Sequence, residues 1–215
     1  MDTPDSSLGM SDASPDASLH AAILAAGPSS RFGSPKQLVR LSGAPVLHQL
    51  ISNAGFIVGQ SITVVLGANA REVASALRQS AVSTVINRDW SEGLASSIRL
   101  AVQSTPSRSS ALMLLLADQV AITADDLKRL HAAWHRHPIQ IATALYEGAP
   151  GLPAIFPSWA FGDLTSLRGD ADPRLVIRRS IDRVVRVAMP NAAIDLNTPE
   201  DLLEFEQRDP VRADL

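Results

Sequence analysis

The chain has 215 residues, of which 46% are apolar and 19% are charged, and it contains no cysteine. This composition is typical of one folded domain with a substantial core, and the lack of cysteine excludes disulfides, cysteine metal sites and a thiol nucleophile. The formal net charge of −3 creates no general positive field, so nucleic acid is not expected as a partner.

The two ends of the chain differ from its middle. Residues 1–19 hold four Asp and five Ser but no Lys or Arg, which indicates a disordered acidic tail rather than a secretory signal. We expect one domain over residues 20–206 and a flexible C-terminal tail over residues 207–215. No apolar run reaches the ~20 residues of a membrane span, so a cytoplasmic protein without a membrane partner is expected.

Short apolar segments that end in turn residues alternate with amphipathic segments from residue 21 onward. The apolar segments predict strands, because buried parallel strands are apolar on both faces. They cover residues 21–26, 62–66, 82–86, 111–117, 140–145, 153–156 and 184–187. Periodicity and capping residues predict helices over residues 45–57, 69–79, 92–102 and 123–137 and a last helix from residue 198.

This alternation predicts an α/β fold, a Rossmann-like three-layer α/β/α arrangement with a mostly parallel sheet. Residues 111–117 form the most apolar segment and are expected at the centre of the sheet. Residues 148–179 are richer in Gly, Pro and Arg, which indicates a less regular, substrate-facing insertion rather than a second domain.

A glycine-rich basic loop, Leu24-Ala-Ala-Gly-Pro-Ser-Ser-Arg-Phe-Gly-Ser-Pro-Lys36, follows the first predicted strand. Ligands of open α/β sheets bind at the carboxyl ends of the strands, where this loop begins. Gly27 and Gly33 permit close approach of the backbone to phosphate, and Arg31 and Lys36 add positive charge. On composition alone, an ordinary loop with two solvated basic residues is the alternative. The dinucleotide fingerprint and the P-loop are both absent, which disfavours a dehydrogenase.

Two carboxylates are candidates for a metal site. Asp118 directly follows residues 111–117, and Asp195 precedes the last predicted helix. Each alone fits a turn or capping residue, but together they suit Mg²⁺, which prefers a few carboxylates, water and phosphate oxygens. His131 and His135 have a spacing that zinc could use, but no nearby Glu or Cys completes such a site, so a solvated helix face is expected.

The string Leu24-Ala-Ala-Gly-x-Ser-x-Arg-Phe-Gly-x-x-Lys-Gln-Leu38 resembles the signature of nucleotidyltransferases similar to molybdenum cofactor cytidylyltransferase. The resemblance extends over about His20–Glu204. It implies a sheet of the nucleotide-diphospho-sugar transferase type and a magnesium-dependent reaction in which Arg31, Lys36 and Asp118 are the catalytic residues.

The resemblance also implies how the metal is held. In this family an Asp after the central strand and an acid or amide before the last helix bind the ion, which assigns Mg²⁺ to Asp118 and Asp195. Asp118-Gln-Val120 is similar to the family's Asp-Gln-Pro, and Asp195-Leu-Asn-Thr-Pro199 is similar to its Asp-Ile-Asp-Thr-Pro. Asn197 stands where the family has a second acid, so we expect it to contact the substrate or a ligand of the metal.

Asn87-Arg-Asp-Trp-Ser-Glu-Gly93, followed by Ser96 and Ser97, resembles a family element that approaches the nucleotide. Trp90 in this element fits a core or rim aromatic better than a base contact. Ala25-Ala-Gly27 is more similar to the cytidylyl branch than to the guanylyl branch, which implies CTP as the donor. The implied nucleotide contacts are Leu24, Ala25, Ala26, Gly27, Arg31, Lys36, Asn87, Gly93 and Ser97.

Gly151-Leu-Pro-Ala-Ile-Phe156 and Leu167-Arg-Gly-Asp-Ala-Asp-Pro-Arg174 resemble the acceptor-side elements. In the second, Asp172 and Pro173 replace the family's Gly-Ala, which could reshape the acceptor pocket. Arg168 and Arg174 could bind a phosphate or could equally be solvated arginines. The implied acceptor contacts are Gly151, Pro153, Arg168, Gly169, Asp170, Arg174 and Asn197.

The reaction that the resemblance implies is transfer of CMP from CTP to a phosphate-bearing acceptor, with release of pyrophosphate. Molybdopterin is the expected acceptor, and a molybdoenzyme is a possible partner. One alternative is a nucleotidyltransferase that activates a sugar phosphate or another small phosphate. Another is a non-catalytic nucleotide-binding or cofactor-chaperone module, in which Asp118 or Asp195 would not touch a metal.

Overall fold

The computed structural model describes residues 18–41 and 43–208. The tails that the sequence predicts at the two ends fall almost entirely on residues 1–17 and 209–215, which lie outside the described residues. The first strand begins at Leu19 and the last helix ends at Arg208, so regular structure extends slightly beyond residues 20–206. None of the described helices is long and apolar enough to cross a membrane.

Strands and helices alternate along the described chain. The strands are β1 (Leu19–Ala25), β2 (Arg40–Leu41), β3 (Ala44–Pro45), β4 (Ile62–Leu66), β5 (Ser83–Ile86), β6 (Ala111–Leu116), β7 (Ile141–Tyr146), β8 (Ala149–Pro157) and β9 (Val184–Ala188). The α-helices are α1 (Val46–Val58), α2 (Ala70–Ala76), α3 (Leu94–Gln103), α4 (Ala124–Arg136), α5 (Phe161–Ser166), α6 (Arg174–Arg179) and α7 (Pro199–Arg208).

Seven of these strands form one sheet in the order β5-β4-β1-β6-β8-β7-β9. The neighbours β5, β4, β1 and β6 are parallel, and β7 and β9 are parallel to each other. β8 is antiparallel to both β6 and β7. The predicted mostly parallel three-layer α/β architecture is therefore confirmed. The remaining strands, β2 and β3, form a separate two-stranded hairpin.

β1 lies near the centre of the sheet and is buried on both faces. Ala21 and Ile23 pack into one hydrophobic core, whereas Ala22 and Leu24 pack into the other, as the two-residue period of a strand requires. The first core includes residues of α1 and α4, and the second includes residues of α3, α5 and α6. Burying apolar surface stabilises the folded state by roughly 25 cal/mol per Å². The two cores therefore hold the helical layers against the two faces of the sheet.

The carboxyl ends of β1, β4 and β6 lie side by side at one edge of the sheet. Just past these ends, the N–H of Ala117 donates to the carbonyl of Leu24 (3.1 Å), and the N–H of Ala68 donates to the carbonyl of Ala26 (3.1 Å). A Cβ at Gly67 would overlap the Ala26 carbonyl, so this approach requires glycine. The basic loop after β1 begins at this crowded edge.

The expectation of an irregular insertion over residues 148–179 was wrong for its first part. β8 runs from Ala149 to Pro157, which is longer than the predicted strand over residues 153–156, and it is integrated between β6 and β7. Its glycine and prolines hid the strand pattern, because both residue types are normally depleted in strands. The rest of the segment contains the short helices α5 and α6.

Candidate active site

Polar side chains fold the basic loop back over the end of β1. The buried Gln37 donates its Nε2 to the carbonyls of Ala25 (3.2 Å) and Gly27 (3.5 Å). The N–H of Lys36 donates to the Ser29 hydroxyl oxygen at 3.2 Å. These bonds return the chain to the strand end and place Lys36 at the edge of the sheet.

Lys36 meets a carboxylate there. Its Nζ lies 2.7 Å from the Oδ2 of Asp118, and the two side chains are only 14% and 23% exposed. The side-chain oxygen of Asn197 accepts hydrogen bonds from Lys36 (3.4 Å) and from Arg31 (3.3 Å). The structure therefore connects the three predicted catalytic residues, because Lys36 contacts both Asp118 and Asn197 and Asn197 also contacts Arg31. It places Asn197 beside the cations rather than beside the other expected acceptor contacts.

Asp195 is held next to Asp118 by the backbone. Gln119 and Asp195 form an isolated antiparallel bridge, and the N–H of Leu196 donates to the carbonyl of Asp118 at 2.8 Å. Although solvent reaches Asp195, the surrounding protein raises its pKa to about 6, chiefly by desolvation and further by the negative charge of Asp118. Lys36 and other nearby cations oppose this rise in the pKa of Asp195.

These two carboxylates fit a divalent cation. The Oδ1 of Asp118 is buried and has no hydrogen-bond partner among the described residues, so one oxygen is left for another ligand. A cation between two carboxylates would also relieve the repulsion that raises the pKa of Asp195. The described residues contain no group of three His, Cys, Asp or Glu placed to hold a metal, so water and substrate oxygens would complete the coordination, as Mg²⁺ prefers.

A cavity of about 400 Å³ opens beside Asp118, whereas Asp195 is not among the residues that line it. Nine of the predicted site residues line it, namely Leu24, Ala25, Ala26, Gly27, Lys36, Gly93, Ser97, Asp118 and Asp170. Trp90, which the sequence analysis describes as a core or rim aromatic, also lines the cavity. The other residues of its wall, which were not predicted as site residues, are Pro28, Gln37, Ser91, Leu94, Leu116 and Ala117. The loop after β1 and the start of α3 therefore face each other across one space.

Asn87 does not line this cavity, although the sequence predicts it as a nucleotide contact. Its Nδ2 donates to the hydroxyl oxygens of Ser96 (2.7 Å) and Ser97 (3.0 Å), and its Oδ1 accepts from the N–H of Asp89 (3.0 Å). The buried side-chain amide of Asn87 therefore makes its hydrogen bonds to other groups of the protein. Asn87 fixes the first turn of α3, and only Ser97 carries that arrangement into the cavity wall.

Gly93 joins the expected nucleotide element to the expected acceptor element. Its φ is +121°, and a Cβ there would overlap the Asp170 carboxylate and the Gly169 backbone. The N–H of Ala95 donates to the carbonyl of Gly169 at 3.0 Å, and the N–H of Gly169 donates to the Glu92 carboxylate at 3.2 Å. Asp170 therefore lines the same cavity as the nucleotide residues instead of a separate acceptor pocket.

The remaining acceptor candidates are dispersed. Gly151 and Pro153 are buried in β8 and do not line the cavity, and the exposed Arg168 donates to the carbonyls of Thr165 and Leu167. The structure thus places Arg168 at the surface, bound to its own segment. Arg174 behaves differently, because its guanidinium is held by another side chain at the end of β7.

Sequence reasoning missed two glutamines that shape the site. Gln37 was part of the quoted loop string, but the string does not show that its side chain turns back to the strand. Gln119 donates its Nε2 to the carbonyls of Leu152 and Ala192, both at 2.8 Å, and so connects β8 to the segment before Asp195. Gln119 was part of the quoted string Asp118-Gln-Val120, but neither that string nor its position beside a predicted metal ligand shows these contacts.

The cavity lined by Lys36 and Asp118, at the carboxyl edge of a mostly parallel sheet, fits the class of nucleotidyltransferases. Residues 21–184 match the model of the MobA-like NTP transferase domain. The chain belongs to this family, and it is a nucleotidyltransferase by that membership.

Curated relatives carry different names. Nicotine blue oxidoreductase of Paenarthrobacter nicotinovorans is 29% identical over 168 residues, which are 73% of this chain and 80% of that protein. The probable molybdenum cofactor guanylyltransferase of Rhodopirellula baltica is 28% identical over 187 residues, covering 84% and 88%. The molybdenum cofactor cytidylyltransferase of Escherichia coli is 23% identical over 187 residues, covering 86% and 94%.

Solved structures share the fold. Rv0371c of Mycobacterium tuberculosis superposes with a TM-score of 0.76 at 25% identity, over 88% of this chain and 98% of that one. Its complex with manganese has a TM-score of 0.70 at 23% identity over the same shares of the two chains. A putative glucose-1-phosphate thymidylyltransferase of Bacillus anthracis has a TM-score of 0.72 at 14% identity, covering 92% and 96%. These likenesses confirm the predicted nucleotide-diphospho-sugar transferase type of fold.

Proposed function

We propose that this protein transfers CMP from CTP to a phosphate-bearing acceptor, most simply molybdopterin, in a magnesium-dependent reaction. The observation that carries the proposal is the contact between Lys36 and Asp118 in the wall of the cavity, with Asp195 bridged to the residue after Asp118. A cationic side chain and two carboxylates are what a metal-bound triphosphate requires at close range. The molybdenum cofactor transferases among the relatives support the choice of acceptor.

The residues have separate tasks in this mechanism. Asp118 and Asp195 would hold Mg²⁺, which when bound supplies positive charge to the phosphate oxygens. Lys36 and Arg31 would contact the triphosphate, and Asn197 would keep their two positive groups side by side. Ala25 through Gly27 and the start of α3 would enclose the nucleoside.

The chemical step needs positioning more than proton transfer. An oxygen of the acceptor phosphate forms a bond to the α-phosphorus of CTP, and the bond from that phosphorus to the bridging oxygen breaks. Pyrophosphate leaves with the electron pair. The attacking phosphate is already ionised near neutral pH, so no protein general base is required, and the protein contributes orientation and charge stabilisation.

The choice of CTP rests on Ala25-Ala-Gly27, which lines the cavity and has the form of the cytidylyl branch. GTP is the main competitor, because one relative is named a guanylyltransferase. The experiment is to incubate the purified chain and Mg²⁺ with each of the four triphosphates, with molybdopterin, glucose 1-phosphate or no acceptor. We expect pyrophosphate and a dinucleotide product with CTP and molybdopterin, and at least tenfold less with GTP.

Other outcomes of this assay identify the alternatives. Release of pyrophosphate with glucose 1-phosphate but not with molybdopterin would indicate a sugar-phosphate nucleotidyltransferase. If no pyrophosphate is released with any acceptor, the protein would instead be a nucleotide-binding or cofactor-chaperone module. The oxidoreductase relative calls for one further control, consumption of NADH or NADPH, which we expect to be absent because the dinucleotide fingerprint is missing.

A further inference from the structure

Tyr146, at the end of β7, holds the guanidinium of Arg174 through two different contacts. The Nη2 of Arg174 donates to the Tyr146 hydroxyl at 2.6 Å, and the guanidinium carbon lies 5.5 Å from the centre of the Tyr146 ring. The two residues are 28 positions apart, and neither contact involves a neighbour in sequence. A hydrogen bond and a cation–π contact together restrict a side chain that is otherwise flexible.

The β8 strand is shaped to receive the Tyr146 ring. A Cβ at Gly151 would overlap the Tyr146 hydroxyl and the adjacent ring carbons, so the ring lies directly over the backbone at that position. The buried Thr143 donates its hydroxyl to the Gly151 carbonyl at 2.6 Å, which fixes the strand beneath the ring. Gly151 is therefore needed to leave room for the Tyr146 ring, and its connection to Arg174 passes through Tyr146.

Arg174 meets Tyr146 at the carboxyl edge of the sheet, where Asp118 and Asp195 also lie. β7, which ends at Tyr146, and β6, which leads to Asp118, are both antiparallel to β8, so their carboxyl ends lie at the same edge. The Arg174 side chain is 41% exposed. Among the described residues, Asp172 is its only carboxylate partner, at 3.9 Å, and Tyr146 receives its one side-chain hydrogen bond. Part of the guanidinium fork is thus open to solvent, in a form suited to two phosphate oxygens.

We infer that Tyr146 is a positioning residue that holds Arg174 ready to bind the phosphate of the acceptor at the carboxyl edge of the sheet. The inference rests on the proposed transfer for the identity of the ligand, but the phosphate site itself can be tested separately. Without the Tyr146 hydroxyl, the half-exposed Arg174 would sample several rotamers and would lose conformational entropy on binding phosphate.

The first test measures binding of inorganic phosphate to the full chain without metal or nucleotide. The ¹⁵N-labelled side-chain N–H signal of Arg174, assigned by its loss in Arg174→Gln, is followed as phosphate is added. We expect Tyr146→Phe to weaken this response about 3- to 10-fold, the effect of one hydrogen bond. The phenylalanine ring still covers Gly151, so the fold should be kept, and Arg178→Gln on the exposed side of α6 is the control.

The second test measures transfer and separates the two substrates. Tyr146→Phe should raise the KM for the acceptor about 3- to 10-fold and leave the KM for CTP unchanged. In the Arg174→Gln background it should have no further effect, because Tyr146 acts through Arg174. A general loss of structure would instead alter both KM values.

The outcomes distinguish the two claims. If phosphate shifts the Arg174 signal in a Tyr146-dependent way but no acceptor supports transfer, the proposed function fails and the phosphate site stands. If the wild type shows no phosphate response at Arg174, or if Tyr146→Phe leaves both the phosphate affinity and the acceptor KM unchanged, the positioning role is overturned.

Discussion

The Nζ of Lys36 lies 2.7 Å from the Oδ2 of Asp118 although 82 positions separate the two residues. Lys36 is the last residue of the basic loop, and its side chain pairs with the carboxylate that the sequence analysis assigns to a metal. Because both side chains are largely buried, breaking the pair without a substitute would leave a desolvated charge. The pair is therefore expected to separate only when metal and triphosphate arrive together and provide each group with a new partner.

Replacing Lys36 tests how much this side chain contributes to the affinity for the triphosphate. Lys36→Met keeps the length of the side chain but removes the charge, so we expect roughly 10- to 100-fold weaker binding of CTP in the presence of Mg²⁺, the typical effect of losing a hydrogen bond to a charged group. Isothermal titration calorimetry measures the affinity. The chain has one other lysine, the exposed Lys128, and Lys128→Met is the matched control. Unchanged CTP affinity in Lys36→Met would remove the lysine from the phosphate site.

Asp118→Asn tests the metal site with little change in shape. The amide is a poorer ligand for Mg²⁺ than the carboxylate, so we expect turnover to fall by about 100-fold or more and the Mg²⁺ requirement to rise. Pyrophosphate release is measured over a range of Mg²⁺ concentrations. Asp125→Asn serves as control, since Asp125 is exposed and pairs only with Lys128 among the described residues. Normal turnover at the normal Mg²⁺ concentration would mean that Asp118 does not bind the ion.

Gly93→Ala tests the junction between the two halves of the site. The new methyl group would collide with Asp170 and Gly169 at a positive φ, so we expect the free energy of unfolding to fall by about 1–3 kcal/mol and nucleotide binding to weaken. Gly162→Ala is the control, because a Cβ there meets nothing within 4 Å in α5. This second change should be neutral or stabilise by up to about 1 kcal/mol. Urea denaturation compares the two, and equal stabilities would contradict the packing described for Gly93.

His20 makes stability depend on pH. Its ring nitrogens contact the hydroxyl oxygens of Ser61 (2.9 Å) and Thr63 (3.0 Å), and burial lowers its pKa below the usual 6.5. Below pH 6.5 the unfolded chain therefore binds more protons at this position than the folded one, and the free energy of unfolding falls as the pH falls. The stability of the wild type relative to His20→Gln should decline between pH 7.5 and 5.5 in urea denaturation. A pH-independent difference for His20→Gln would contradict the assignment.

Local patterns predicted much of the fold. Uninterrupted apolar runs identified β1 and β6, because central parallel strands are buried on both faces. Thr123 was predicted to begin a helix, and the structure shows why: its hydroxyl accepts from the N–H of Asp126, whose carboxylate accepts from the N–H of Thr123. β8 was underestimated, since its prolines and glycine are compatible with a strand only through the particular partners that β6 and β7 provide.

The sequence predicted which residues belong to the candidate site better than it predicted which of their side chains contact each other. The loop string and the two aspartates pointed to one edge of the sheet, and the structure places them there. The contact of Arg174 with Tyr146 joins segments that are distant in sequence, so neither spacing nor composition could reveal it. Asn87 shows the opposite case, because a residue type suited to a nucleotide contact is used to hold two serines of α3.

The most direct test of the proposed function follows the α-phosphate of the donor. CTP labelled at that phosphorus is incubated with the full chain, Mg²⁺ and molybdopterin, and the products are separated. We predict that the label appears in a cytosine dinucleotide of the acceptor, in equal amount to the pyrophosphate released, and that Asp118→Asn lowers both by about 100-fold or more. Label that remains in CTP with every acceptor and metal tested, although CTP binds, would contradict the proposed transfer.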